Sequence, residues 1–420
     1  MKRFSLLIVA IISVASVSVA QNVDDALRYS QIFYGGTARF MSMGGAFTAL
    51  GGDLSSMSQN PAGIGVFRSS EISVSPQLFH IKSTSSFNGI SSDYLYDFNL
   101  NQAGIVGNII KRNDESGLLT LNFGYSFNRT NNFNQSIIIN GNSNNSSMAD
   151  YWADKASYNA ELGRGLYPDE LFDYSQEADL AYVAYVIDTV SGYDNYYGTV
   201  FSNYEDNPPS VYGQNIRRMV DLKGYTAEHA ISIGGNYSNK IYFGATLGIS
   251  RLSYSSHYEH YEATDVILPS RYADPLGFAS FNYVFHYSNT GTGYTLKLGT
   301  TFKPVEQLRI GLAFHSPTFY RINEYVYDNI TTRFDVGGKI DVANDPVRYN
   351  YALTTPYRAL AGIAWQIKKF GLLSADYEFV DYSTARFSET GDNYDYSVKN
   401  MSIKNTLKSA NNIRLGDQTS

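Results

Sequence analysis

The chain has no cysteine in 420 residues, which excludes a disulfide framework, a thiolate metal site and a lipid-bearing N-terminal cysteine. Charge is sparse, at 17% of residues, and acidic side chains outnumber basic ones 39 to 32, so nucleic acid is an ill-suited partner. Of the six histidines only His257 and His260 lie near each other in sequence. A spacing of three on a strand puts them on opposite faces, which does not suit a shared metal. They read as an exposed polar pair, with a haem- or metal-capturing loop as the alternative. There is no Gly-x-Ser-x-Gly elbow, no His-Glu-x-x-His and no phosphate-binding glycine loop followed by Lys-Ser/Thr. Asp376 and Glu378 share one strand face, as acid–base chemistry requires, but Arg309 and Lys297 face the same interior and are expected to neutralise them. Neither an enzyme nor a cofactor is expected.

Long apolar runs are missing as well. Beyond the first twenty residues no stretch approaches the roughly 18–20 apolar residues of a transmembrane helix, and mean hydropathy is −0.25. Those first twenty residues have the form of an export signal: Lys2 and Arg3, an apolar core over Leu6–Val17, and the small-x-small site Ser18-Val19-Ala20. Cleavage before Gln21 leaves 30 basic residues against 39 acidic ones.

What the sequence has in excess is tyrosine, phenylalanine and glycine, at 36, 24 and 35 residues. Tyrosine suits an interface that is apolar on one side and wet on the other. Period-two alternation recurs throughout. In 118–128, Leu119, Leu121, Phe123, Tyr125 and Phe127 oppose Thr120, Asn122, Gly124, Ser126 and Asn128. The same split recurs over 241–249, 307–315 and 373–379. A soluble sandwich alternates too, with its polar faces outward. Connection lengths favour a membrane barrel. Short links at Lys111–Ser116, Ser238–Lys240, Lys303–Glu306 and Lys368–Lys369 alternate with long ones near 129–226, 255–290, 317–353 and 383–409, the asymmetry of periplasmic turns and extracellular loops.

Ten strands are expected, near 70–80, 100–111, 117–129, 228–238, 240–254, 292–303, 306–316, 355–367, 370–382 and 411–416. The chain ends on Asp417-Gln418-Thr419-Ser420 without the terminal aromatic residue usual in such barrels, which points to a truncated barrel. The insertion at about 145–225 carries partial helical spacing over Met148–Asn159, Pro168–Phe172 and Ser175–Val186. It reads as a solvated surface excursion with short helices, or else a ligand-collecting surface.

Residues 35–68 carry a specific pattern: Gly36-Thr37-Ala38-Arg39, Met43-Gly44-Gly45-Ala46-Phe47, the Gly52-Asp53 turn and Asn60-Pro61-Ala62-Gly63. In order and spacing this resembles the N-terminal hatch of the FadL/TodX family of outer-membrane transport proteins. Leu308–Pro317, with its terminal Ser-Pro, and Tyr351–Pro356 followed by Ala361–Ala364 are similar to later strands of that family. The resemblance implies an all-β, antiparallel 14-stranded barrel over 69–420, blocked by a hatch over 21–68, in the cell outer membrane. It further implies passive uptake of long-chain fatty acids or other hydrophobic compounds with release through a lateral wall opening. The four strands not visible here would follow Ser420. Implied partners are a hydrophobic small molecule, outer-membrane lipid and the barrel-assembly machinery, with the chain a monomer. Asn60, Pro61, Ala62 and Gly63 would form the gate, beside a kinked third strand at about 117–129. At the level of bare residues, the same four are a turn capped by an Asn side chain. Phe33, Phe40, Met41, Met43 and Phe47 are candidates to line an apolar ligand pocket, although such residues more often simply pack the hatch against the wall. A surface adhesin or haem receptor and a general porin are the other readings.

Overall fold

The computed structural model describes residues 22–112, 116–203, 210–211, 213–264, 278–334, 338–367, 370–391 and 394–419. The export signal, its cleavage point at Gln21 and the turn at Lys368–Lys369 lie outside the described residues. Two short helices, α1 (Val23–Ser30) and α2 (Ala38–Ser42), precede the strands. Next come β1 (Glu71–Ser86), β2 (Ile90–Lys111), β3 (Leu118–Asn132) and β4 (Gln135–Ser143). A helical insertion follows, with α3 (Met148–Ser157), α4 (Leu171–Tyr174) and α5 (Gln176–Val183). It carries the small strands β5 (Ile187–Thr189), β6 (Tyr197–Thr199), β7 (Ser202–Asn203) and β8 (Ser210–Val211). The chain continues as β9 (Gln214–Tyr237), β10 (Ile241–Thr264), β11 (Phe278–Val305), β12 (Leu308–His315), β13 (Phe319–Phe334) and β14 (Lys339–Ala343). It ends with β15 (Val347–Thr354), β16 (Arg358–Ile367), β17 (Gly371–Asp381), β18 (Arg386–Glu389), α6 (Ser397–Thr406) and β19 (Ser409–Thr419).

All ten expected strands form one curled antiparallel wall, in the order β1-β2-β3-β9-β10-β11-β12-β16-β17-β19. Among the described residues β1 and β19 are its two ends, so the path holds ten strands where the family resemblance implied fourteen. The alternation decides which way each face turns. On β10, Ile241, Phe243 and Leu247 are exposed, while Tyr242, Thr246 and Ser250 are buried on the inner face. Leu296 and Leu298 of β11, Ile310 and Leu312 of β12 and Ile363 and Leu373 of β16 and β17 continue the exposed apolar band. An exposed apolar band backed by a buried polar face is the inverse of a soluble sandwich and is what lipid selects. Tyr237, Phe302, Trp365 and Phe370 mark its lower rim near the short turns; Tyr294, Phe319 and Tyr357 mark the upper rim. At the β9–β10 turn, three residues long, Ser238 and Asn239 both have φ of +54°, the left-handed backbone of a tight hairpin turn. No helix among the described residues is long and apolar enough to cross a membrane.

Two expected loops, 255–290 and 317–353, are largely strand. β9, β10 and β11 run 24, 24 and 28 residues, roughly 80–95 Å of extended chain, far more than a membrane crossing needs. Polar residues occupy these extensions, and polarity had marked them as loops; mutual pairing to Ala263 on β10 and Ser280 on β11 keeps them extended. The change from wall to extension is marked by proline, which has no N–H for a ladder. β12 stops before Ser316-Pro317, and above it β13 takes its place on β11. β15 likewise gives way to β16 across Thr355-Pro356, and Thr318 and Thr355 join the two breaks, Thr318 N–H donating to Thr355 Oγ1 at 2.9 Å.

The 145–225 insertion is not a solvated excursion. Its last part is already β9, and its helices lie where the spacing put them but bury a core. Ser147 caps α3, and Glu262 of β10 accepts from Ser147 Oγ at 2.6 Å and Met148 N at 2.7 Å, tying the helix start to the wall. Trp152 is fully buried against Phe281 and Tyr283 of β11, with ring centroids at 5.6 and 5.2 Å. On the surface of this cap Arg164 forks onto Glu170 at 2.6 and 2.8 Å and holds that carboxyl down at about 2. Beneath the cap α1 and α6 pack with Tyr254, Tyr287, Tyr351 and Phe387.

Leu247 lies midway along the outward apolar run of β10. Leu247→Arg is expected to cost about 2–4 kcal/mol of stability in bilayers, read as a lowered urea midpoint for folding into lipid vesicles. Trp152→Ala is expected to cost about 3–5 kcal/mol and to open the cap to protease, with the wall left folded.

Candidate functional site

The inner face of the wall is filled by the chain's own N-terminal segment. Its local folds follow from three side-chain caps. Thr37 caps α2; Asp53 accepts from Ser55 N at 2.8 Å and starts a 3-10 turn over Leu54–Ser58; Asn60 accepts from Ala62 N at 3.0 Å and starts another over Pro61–Val66. Proline at the first position of that turn gives up an N–H that has no partner there in any case. Gly51 and Gly52, at φ +61° and +67°, turn the chain just ahead of the first of these 3-10 turns, where a Cβ at Gly51 would press on Gly63.

The wall accommodates this segment with glycine. Gly234, Gly244 and Gly299 lie directly opposite one another on β9, β10 and β11, and Gly311 and Gly362 are opposite on β12 and β16. A Cβ at Gly244 would fall on the Pro61 carbonyl, at Gly299 on the Asn60 side chain, and at Gly311 on the Thr48 carbonyl. The segment therefore rests against bare wall backbone.

Polar wall residues then satisfy its carbonyls, as buried backbone demands. Lys297 donates to Ser58 O at 2.7 Å, His315 Nε2 to Gln59 O at 2.7 Å, Arg309 to Leu50 O at 2.6 Å and Ser374 to Ala46 O at 2.6 Å. Asn122 donates to Ile64 O at 2.7 Å and Phe67 O at 2.9 Å. Two buried charge groups stand among these contacts. Lys297 pairs with Glu228 at 2.6 Å, and Glu378 lies between Arg358 and Arg414, with Arg358 also donating to Ser30 O at 2.5 Å. Asp376 accepts from Thr48 N at 2.8 Å. Asp376, Glu378, Lys297 and Arg309 all face inward as the alternation required, but the carboxylates' partners are not the expected ones. Cross-strand register sets the pairs, and Glu378 is reached by Arg358 and Arg414 from the flanking strands.

The four gate candidates are buried together. Asn60 donates to Thr48 O at 2.5 Å and Thr300 O at 3.3 Å, and Pro61 lies over β10. They thus sit on β10 and β11, not beside β3; Ile64, Gly65 and Phe67, a turn further on, are what reach Thr120 and Asn122 of β3. The five pocket candidates separate. Phe40, Met43 and Phe47 are fully buried with Ala49, Leu50 and Ala364, with Phe40 and Phe47 rings 5.0 Å apart. Met41 and Phe33 are exposed, and Phe33 is 64% so.

Phe33 marks a feature that period counting misses. β2 and β3 pair only as far as Gln102 opposite Asn128. Just above, Asn101 bulges from the β1–β2 ladder and donates to Gly36 O at 2.9 Å, while Thr130 sits at a bulge between β3 and β9. Residues 33–35 occupy the separation, Phe33 N donating to Thr130 O at 2.7 Å and Gly35 N to Arg129 O at 2.9 Å. Behind them is an interior cavity of about 20 Å³ lined by Tyr29–Ile32, Thr130, Glu228, Lys297, His315 and Arg358, room for about one water. His257 faces out beside His286, and His260 faces in, bonded to Glu262 at 2.7 Å, on the opposite faces their spacing required.

An outward apolar band, short turns at one end, long extensions at the other and a buried polar inner face define an outer-membrane β-barrel protein, here with its interior occupied by its own N-terminal segment. No family model matches this chain, and no curated protein sequence does. Among solved structures it is similar to the toluene transporter TodX of Pseudomonas putida, with a TM-score of 0.44 and 11% identity over 86% of this chain and 75% of that one. It is likewise similar to the CymD monoaromatic hydrocarbon channel, with a TM-score of 0.42 and 13% identity over 92% and 80%. Both are likenesses of overall fold.

Gly299→Val and Gly244→Val are expected to dislodge residues 35–67 and make them cleavable by protease in the folded protein. Gly107→Val, where an added Cβ meets nothing within 4 Å, is the matched control and is expected to leave the segment protected.

Proposed function

We propose that this protein is a passive outer-membrane channel for hydrophobic small molecules, with residues 21–68 acting as its hatch and the separation between β2 and β3 as a lateral exit. The observation that carries this reading is the insertion of residues 33–36 between β2 and β3, where wall pairing is replaced by contacts with the N-terminal segment itself. Motion of that segment would uncover an opening through the wall at the level of the interior cavity. An apolar ligand leaving there enters lipid and never crosses the aqueous interior. The cavity beside the opening is too small and polar to hold such a ligand as it stands, so uptake requires displacement of residues 29–36. The buried charge groups hold the segment by its carbonyls at Ser30 and Ser58, bonds of small net free energy that water can replace, while the apolar packing of Tyr29 and Met57 beside them sets the larger cost of displacement. Fatty acids and aromatic hydrocarbons are the two substrate classes to compare. Asn60–Gly63 serve as the gate, seated on β10 and β11 and displaced with the rest of the segment, and Phe33 as the residue at the exit.

A second reading, a surface binding protein, draws on the cap. Residues 145–203 hold 10 acidic and 2 basic residues, and Tyr158, Tyr185 and Tyr193 stand exposed there.

Because the chain has no cysteine, two can be placed without background. Ser58→Cys with Asn128→Cys, whose native side chains are 2.7 Å apart, would be bridged by a short bis-methanethiosulfonate in protein reconstituted into vesicles. Bridging is expected to reduce uptake of labelled toluene or palmitate at least tenfold, with recovery on adding reductant. Uptake unchanged by the bridge would remove the hatch from the mechanism, and ion conductance without uptake would favour a general porin.

A further inference from the structure

At the short-turn end a second cavity, about 410 Å³, opens between the 50–52 loop and the lower ends of β12, β16, β17 and β19. Two guanidinium groups border it. Arg39 comes from α2 and Arg309 from β12, and both line the same cavity. Neither has a carboxylate partner among the described residues. Arg309 donates to Leu50 O at 2.6 Å, Arg39 Nε to Gln418 Oε1 at 3.2 Å, and Glu306 at the rim is taken by Lys303 at 2.6 Å. Elsewhere inside this wall the cations Lys297, Arg358 and Arg414 are matched to carboxylates. The rest of this cavity includes apolar surface from Leu50, Val66 and Leu372.

Two like charges converge on a cavity whose lining carboxylate, Glu306, is already paired with Lys303, and that surplus of positive charge favours an anion; guanidinium groups suit planar or tetrahedral oxyanions through paired N–H donors. We propose that this vestibule is a binding site for a small amphipathic oxyanion. Arg39 and Arg309 take its carboxylate or phosphate group, and Leu50, Val66 and Leu372 take a short apolar body. Arg309 also holds the Leu50 carbonyl, so occupancy competes for the donor that seats the Leu50-Gly51-Gly52 loop and couples the site to the N-terminal segment. The site does not rest on the transport reading, because it is measured by equilibrium binding.

The test is calorimetric titration of the full chain, folded in a neutral detergent, with octanoate, octyl phosphate, octanol and inorganic phosphate. One or both octyl anions are expected to bind at least tenfold more tightly than octanol and inorganic phosphate, and to lose at least tenfold in affinity in Arg309→Gln and in Arg39→Gln. The comparison of octanoate with octyl phosphate tells which headgroup the site prefers. Arg39→Gln leaves the Leu50 bond intact, so it separates loss of the anion site from loss of the loop, and the gel mobility of unheated protein verifies folding of both variants. Octanol binding as tightly as the anions, inorganic phosphate matching octyl phosphate, or unchanged anion affinity in folded Arg39→Gln would each overturn the proposal. A failure here leaves uptake and its dependence on the Ser58–Asn128 bridge unaffected.

Discussion

The contact on which this architecture depends is backbone against backbone: the 48–65 segment lying on wall glycines of β9, β10, β11, β12 and β16. Close approach brings the segment's carbonyls within reach of Lys297, His315, Arg309, Asn122 and Ser374, and it leaves no room for side chains on the row itself. A wall of ordinary residues would hold the segment several ångströms away, where those donors would be buried without acceptors. Each such orphan costs roughly 1–3 kcal/mol, so the glycines and the polar donors are mutually necessary.

The same contact separates two kinds of adhesion. Phe40, Met43 and Phe47 fill a small apolar cluster under the segment, each burial being worth roughly 1.5–3 kcal/mol. Leu54, Met57, Ile64 and Phe67 form a second apolar cluster with Val106 of β2, and between these patches the segment's carbonyls are held by hydrogen bonds to polar wall residues, with small net free energies that water can replace. From β3 to β17 each wall strand pairs with its neighbours on both sides or through a bulge, so the pairing of the wall there does not depend on the segment. Where the ladder is incomplete, between β2 and β3 above Gln102, the segment supplies the missing hydrogen bonds.

Above the membrane band the design changes. Ser316-Pro317 and Thr355-Pro356 end two wall strands at one level, and the sheet regroups through β13 and β15 into an extension that carries the α3–α5 cap. The inner face of the extension is rich in aromatic rings, burying Trp152 and Phe201 against Phe281, Tyr283 and Phe334, with a few buried polar groups such as His260 and Glu262 bonded among them. One strand, β11, thus faces a polar interior at Lys297 and an apolar core at Phe281, and the proline level lies between them.

From the sequence alone the wall was legible: ten strands, their inward and outward faces and the turn-to-loop asymmetry, because period-two alternation is imposed locally by the pleat and by the contrast between lipid and a polar interior. The turn at Gly52-Asp53 and the Asn60 cap were legible for the same reason, being contacts within two or three residues. What tertiary structure decided is everything that depends on register between distant segments. Polar stretches at 255–264 and 319–334 read as loops until cross-strand pairing made them sheet. Glu378 found Arg358 and Arg414, Asn60 came to rest on β11 instead of β3, and residues 33–36 entered the β2–β3 separation. None of these has a period, since each is set by which backbones come close after the sheet has curled, and that closeness is written in glycines whose spacing along the chain shows no pattern until the strands are laid side by side.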